Sequence, residues 1–212
     1  MVEPVGGWLS SFGLVGDSGM KGTGTMAERM GDWMQTRSGV RFYVEDPRVE
    51  DVRLEDIVFA LSNLTRFTGH TEFYSVAQHS VHVSELVPRE LELQALLHDA
   101  AEAYCGDMGR PLKHGAALRV VFAGIEERLL DVIGEAFGVR LWPLDALVTE
   151  ADLRMVATEK RDLLLPMEWD RELPAGRVER IECWDPWTAR GVFKGRIEAA
   201  MGLRWQAVGC RP

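Results

Sequence analysis

SVAQHSVHVSELVPRELELQALLHDAAEAYCGDMGRPLK, residues 75–113, is the stretch whose reading decides the fold. It holds His79, His82 and the adjacent pair His98-Asp99, with the two remaining histidines, His70 and His114, just outside it. Ser75 followed by Gln78 has the S-x-x-Q form of a capping box, which predicts a helix starting at Ser75. Val76, His79, Val83 and Leu86 recur at helical spacing, so one face of that helix should point inward and carry His79. A second helix is expected from near Pro88, with Leu93, Leu96, Leu97, Ala100, Ala101 and Tyr104 as its apolar stripe and Gly106 as its stop. His98 lies at the edge of that stripe, and Glu102 lies one turn further on. Two neighbouring helices would then aim an imidazole each at the space between them.

Working outward, Leu54, Ile57, Val58, Leu61 and Leu64 mark an amphipathic helix running toward Arg66. TRFTGHTEFY, residues 65–74, breaks the period and reads as a loop. Upstream, Ser38-Gly39 could turn a short hairpin, and residues 1–30 read as a flexible tail rich in Gly and Ser. Downstream, Leu118 to Ala136 gives a long helical pattern stopped by Gly138. Pro143 should open the next helix, with Leu144, Leu147, Val148, Ala151 and Met155 inside and Asp152 on its buried side. Residues 166–180 read as a loop, and Asp185-Pro186 as the N-cap and first turn of a last helix. The prediction is an all-α bundle of about six helices in a single domain spanning 31–212, with an irregular or hairpin-like N-terminal segment.

Composition narrows the function. A chain of 212 residues with 46% hydrophobic residues suits one soluble domain. The net charge of −9 argues against a general nucleic-acid-binding surface, though a local pocket can still attract an anion. Cys105, Cys183 and Cys210 form no C-x-x-C pattern, which predicts free thiols in a reducing, cytoplasmic compartment. No apolar run approaches a membrane span, and no signal-peptide pattern is evident.

The donors His79, His98, Asp99 and Asp152 come from three predicted helices and suit a divalent transition ion such as Zn, Co, Mn or Fe. Such an ion acidifies water and polarises a phosphoryl oxygen. Glu102 is placed to handle a proton, and Arg66 and Lys113, in the flanking loops, could hold phosphate charge. The bland alternative is a set of core histidines and surface acids, but four such groups on inward faces would be costly to bury unpaired. His82 reads as structural, His70 and His114 as loop residues, and Asp107 as either a site acid or a turn cap. Phe67 and Tyr74 could stack on a base or pack in the core, and Trp184 and Trp187 read as anchors of the last helix.

The order His79, His98-Asp99, Asp152 resembles the H…HD…D signature of the HD-domain metal-dependent phosphohydrolases. HDAAEAYCGDMGRPLK is similar to the HD-x-x-E-x-x-x-x-D…P-x-K run of the branch holding bacterial 5′-deoxynucleotidases and phage dATP triphosphohydrolases, through Glu102, Asp107 and Lys113. SNLTRFTGHTEFYSVAQHS is similar to the segment bringing that branch's arginine and first metal histidine, although Phe67 follows Arg66 where the branch carries tryptophan. The resemblance runs from about Trp33 to about Leu165. It implies a helical fold, His79, His98, Asp99 and Asp152 as metal ligands, and Glu102 and Asp107 as catalytic residues. Arg66, Lys113 and Phe67 would bind substrate. It further implies one tightly held divalent ion, with room for a second bridged by substrate, a homo-oligomer, and hydrolysis of (deoxy)nucleoside 5′-mono- or triphosphates, dATP among them. The competing expectations are an HD phosphodiesterase acting on a cyclic nucleotide or alarmone, and a non-catalytic metal-stabilised binding module.

Overall fold

The computed structural model describes residues 28–202, and most of the expected N-terminal tail, together with Cys210, lies outside the described residues. Arg29, within the stretch expected to be tail, is instead built into the body. Its guanidinium pairs with Asp46 at 3.2 Å and with Asp51, and sits 4.5 Å over the Tyr43 ring. The hairpin expected at Ser38-Gly39 forms: β1 (Trp33–Gln35) pairs antiparallel with β2 (Arg41–Tyr43). Gly39 takes the left-handed φ of 86° that the tight turn requires. Asp56, in the first turn of α1 (Leu54–Asn63), accepts from both the Ser38 amide and hydroxyl at 2.7 Å, tying the hairpin tip to the helices.

The expected six helical segments are present, one of them broken. α2 (Val76–Ser84) starts where the capping box predicts, and the Ser75 hydroxyl accepts from the Gln78 amide at 3.1 Å. The reciprocal half of the box is absent, because the Gln78 side chain reaches away to the Glu182 carbonyl and the Trp184 amide. The expectation of one inward face is also corrected: all nine residues of α2 are buried. The helix runs through the middle of the molecule, against α1, α3 (Glu92–Leu97), α7 (Ala146–Leu163) and α8 (Pro186–Ala200).

The second histidine segment is not one helix. A 3₁₀ turn over Arg89–Leu91 leads into α3, and α4 (Glu102–Cys105) follows after His98–Ala101. Across the break the amides of Ala100, Glu102 and Ala103 bond to carbonyls three residues back, the tighter 3₁₀ pattern often found at functional positions. Gly106, at φ 77°, ends the segment. α5 (Arg110–Lys113) and the long α6 (Arg119–Phe137) follow, and Gly138 stops α6 in the left-handed conformation.

α7 starts later than Pro143 suggested. Asp145 caps it by accepting from the Leu147 amide at 2.9 Å, and Leu147, expected inside, is exposed. α8 is capped as predicted, with Asp185 accepting from the Trp187 and Thr188 amides at 2.8 and 3.0 Å. Trp187 does not anchor the helix in the core, since it is 76% exposed. Trp184 packs its ring 5.2 Å from that of His82.

Ile57, Leu61, Leu96, Leu129, Ile133 and Phe193 form the centre of the main core. Each fully buried side chain of this size contributes about 1.5–3 kcal/mol. A second cluster of Val83, Ala95, Val148, Ala151 and Met155 locks α7 onto α2 and α3. That contact brings Asp152 to the end of the histidine pair. Among the described residues, no helix is long and apolar enough to cross a membrane.

Candidate metal centre and its pocket

His79, His98 and Asp152 meet, each offering a ligand atom within 4.8 Å of the others. His79 Nε2 stands 3.2 Å from Asp152 Oδ1 and 3.7 Å from Asp99 Oδ2, and His98 Nε2 stands 3.3 Å from Asp99 Oδ2. Donors that each bond one ion at about 2.0–2.2 Å lie about 3–4 Å apart, so these spacings suit a shared cation. Three of the four expected ligands, His79, His98 and Asp152, therefore converge, and Asp99 Oδ2 stands beside both imidazoles.

The ring orientations fit the same centre. His98 Nδ1 donates to the Ala95 carbonyl at 2.8 Å, which can only accept, so the lone pair of this ring is on Nε2. His79 Nδ1 donates to Glu159 Oε1 at 2.6 Å, so once this ring is neutral its lone pair is on Nε2 as well. Both Nε2 atoms are buried without a hydrogen-bond partner. Two imidazoles with their outer nitrogens tied down and their inner nitrogens unpartnered are arranged as ligating histidines are. The donor set fits a divalent transition ion.

Glu159 was not anticipated from the sequence. It lies seven residues after Asp152 on α7, two turns along the same face, and is fully buried. That spacing was the available signal. Arg66 donates to Glu159 from Nε at 3.3 Å and Nη2 at 3.1 Å, and to Asp99 from Nη1 at 3.5 Å. The arginine expected to face phosphate is thus also a structural tie between the residue 65–74 loop and the ligand cage.

Charge in the cage is strongly coupled. Burial and Arg66 both push His79 toward the neutral form, yet Glu159 and Asp152 outweigh them and raise it to about 9 in the ion-free protein. Burial would raise Asp152, but the His79 ring, with Nε2 3.2 Å away, holds it well below the usual carboxylate range. Asp99 is lowered against burial by His98, His79 and Arg66, and Glu159 is lowered by Arg66 and His79. Glu102 behaves oppositely. Burial, then the charges of Asp99 and Asp107, push it well above its ordinary value, and its Oε2 is buried without a partner. Asp107 is raised by burial.

Beside the cage lies a cavity of about 600 Å³, within the range of small-molecule sites. Arg66, Phe67, Glu102, Asp107 and Lys113 all line it, as do Asp99 and Asp152. Lys113 pairs with Glu126 at 2.6 Å. His70 and His114 also border the cavity, whereas Tyr74 is fully buried and does not reach it. His82 is structural: its Nδ1 lies 2.9 Å from Arg177 and 3.2 Å from Glu85, behind the cage.

The loop between α7 and α8 closes one side. Its second half is laced down: Arg161 donates to the carbonyls of Arg177 and Glu179, and the Gln78 side chain holds Glu182 and Trp184. Its first half contributes Trp169 and Arg171 to the cavity wall, which loop composition did not foretell.

No protein-family model matches the chain. It is 40% identical over 178 residues to the uncharacterized protein YfdR of Escherichia coli (strain K12), covering 81% of this chain and 97% of that protein. It is 37% identical over 117 residues to an uncharacterized protein of Rhodobacter capsulatus, covering 50% of this chain and 59% of that one. With a match running through nearly the whole of the Escherichia coli protein, the chain belongs to the YfdR family.

Proposed function

We propose that the chain is an HD-type, divalent-metal-dependent phosphohydrolase acting on (deoxy)nucleoside 5′-phosphates. The observation that carries this reading is the pair of buried, unpartnered Nε2 atoms of His79 and His98 facing Asp99 and Asp152 at the edge of a ligand-sized cavity. A divalent ion held by these four residues would supply an acidified water and polarise a phosphoryl oxygen. Glu102, pushed toward its protonated form by burial and by its acidic neighbours, can deliver a proton to a leaving oxygen. Asp107, also raised, can receive or relay one. Lys113 and Arg66 offer positive charge to the phosphate, and Phe67 offers a ring to the base.

The test is a metal analysis of the purified protein followed by a nucleotide screen. dAMP, dADP, dATP and cyclic nucleotides are incubated with protein loaded in turn with Zn, Co, Mn and Fe(II), and products are separated by chromatography. The expected result is release of the nucleoside by at least one loaded form. Fully loaded protein that leaves every 5′-phosphate intact would overturn the reading.

A further inference from the structure

The cations that border the cavity fall into two groups. Arg66 is engaged by Glu159 and Asp99, and Lys113 by Glu126. Arg110 and Arg171 also line the cavity, and neither has a carboxylate partner among the described residues. Arg110 makes its one side-chain contact with another cation-capable group, lying 3.3 Å from His114 Nε2. In a chain of net charge −9, two arginines lining a cavity without an ion pair among the described residues are conspicuous. Arginine in such a place suits a bound oxyanion.

The two groups occupy different neighbourhoods. The cations acting most on Glu102 are Arg66 and Lys113. His114 is held below its ordinary value by burial and then by Arg110, Lys113, Arg119 and Arg171. The cavity wall thus carries the acids Asp99, Glu102, Asp107 and Asp152 and, besides the engaged Arg66 and Lys113, a basic set of Arg110, His114 and Arg171 in which Arg110 lies 3.3 Å from His114. A single phosphate seated at the cage leaves the basic part unmatched.

We infer that Arg110, His114 and Arg171 form a second anion subsite, which takes the outer phosphates of a nucleoside di- or triphosphate. This rests on the nucleotide reading above and narrows it to substrates with more than one phosphate. The first phosphate would lie at the cage and the next ones at Arg110, His114 and Arg171. Leu153, Val156 and Trp169, which also line the cavity, provide an apolar wall for the nucleoside.

The experiment measures binding of dAMP, dADP and dATP by equilibrium dialysis, using metal-loaded protein in which Glu102→Gln slows turnover. Arg110→Gln, Arg171→Gln and the double substitution are compared in that background, with Arg119→Gln as a control. Arg119 contributes charge nearby and does not line the cavity. In the parent, dATP should bind roughly tenfold or more tighter than dAMP. Each single substitution should shrink that ratio several-fold, the pair should abolish it, and Arg119→Gln should leave it within about twofold. Equal affinity for dAMP and dATP in the parent would overturn the subsite. So would an undiminished ratio in the double substitution, or an equally large loss in the Arg119 control. If wild-type protein hydrolyses nothing yet dATP binds in an Arg110- and Arg171-dependent way, the catalytic reading falls and the subsite stands.

Discussion

His79 Nδ1 donates to Glu159 Oε1 across 2.6 Å, between two groups that are both fully buried and stand 80 residues apart in the chain. The bond fixes the tautomer of His79 and turns its Nε2 toward His98 and Asp152. Partners of this kind, behind a ligating histidine, typically alter metal affinity by 10–100-fold. Glu159→Gln should weaken binding of the divalent ion by that range, measured by competition with a chromophoric chelator. An unchanged dissociation constant would show that Glu159 does not govern the His79 ring.

Removing the ion should lower the melting temperature. A ligand that binds only the folded state stabilises it by about 2.7 kcal/mol when its free concentration is 100 times its dissociation constant. Wild-type protein should therefore melt several degrees lower in chelator than with added metal. His98→Ala and Asp152→Ala should each erase that difference. A metal-induced shift that survives both substitutions would place the ion elsewhere.

The same cage gives opposite pH trends with and without the ion. Asp152 and Glu159 are depressed below their ordinary values of 3.8 and 4.5, so the stability they contribute is present above those values and is lost as pH falls. His79 is raised from 6.5 to about 9, so its contribution is full below 6.5 and is lost as pH climbs through about 9. Chelated protein should accordingly be most stable between about pH 5 and 6.5 and weaken toward pH 9. With the ion present, His79 must shed its proton to ligate, and stability should rise over that interval. Melting curves that move in the same direction in both states would contradict the assignment.

Glu102→Gln should leave metal content near wild type, because the side chain lies outside the group of converging donors. Turnover of the best nucleotide should fall by about 10²–10⁴, the usual contribution of a general acid or base. A full rate in a metal-replete Glu102→Gln protein would remove Glu102 from the chemistry.

Cys105 provides a check on the packing around α4. Burial, with help from Glu126 and Glu102, pushes its thiol up to about 12. The thiolate is the reactive form, so folded protein at pH 8 should resist alkylation at Cys105 and react faster at the exposed Cys183. Mass spectrometry after timed iodoacetamide treatment reads both sites. Equal labelling would mean that the α4 region opens readily.

Much of this was legible in the sequence, for local reasons. Ser75, Gly138 and Asp185 mark helix ends through short-range hydrogen bonding or left-handed backbone, and these three boundaries appear where expected. His79, His98, Asp99 and Asp152 were identifiable because their residue types and spacing place donors on helix faces. What was hidden depends on tertiary contact. The break at His98–Ala101 follows from packing that helix propensity does not report, and the Ala-rich segment reads as continuous helix. Leu147 looks like a core position by period, but no neighbour covers it there. Trp169 and Arg171 sit in an aperiodic loop, where nothing in the pattern says which side chains turn toward the cavity. Glu159 could have been found by continuing the Asp152 face two turns further.

Because α2 is enclosed along its whole length, His79 has no independent scaffold. A peptide excised around residues 75–113 would leave that helix without the walls formed by α1, α7 and α8. The ion-holding geometry and the hydrophobic interior should then be lost in one cooperative event, with no partially folded species that keeps the cage while the bundle frays.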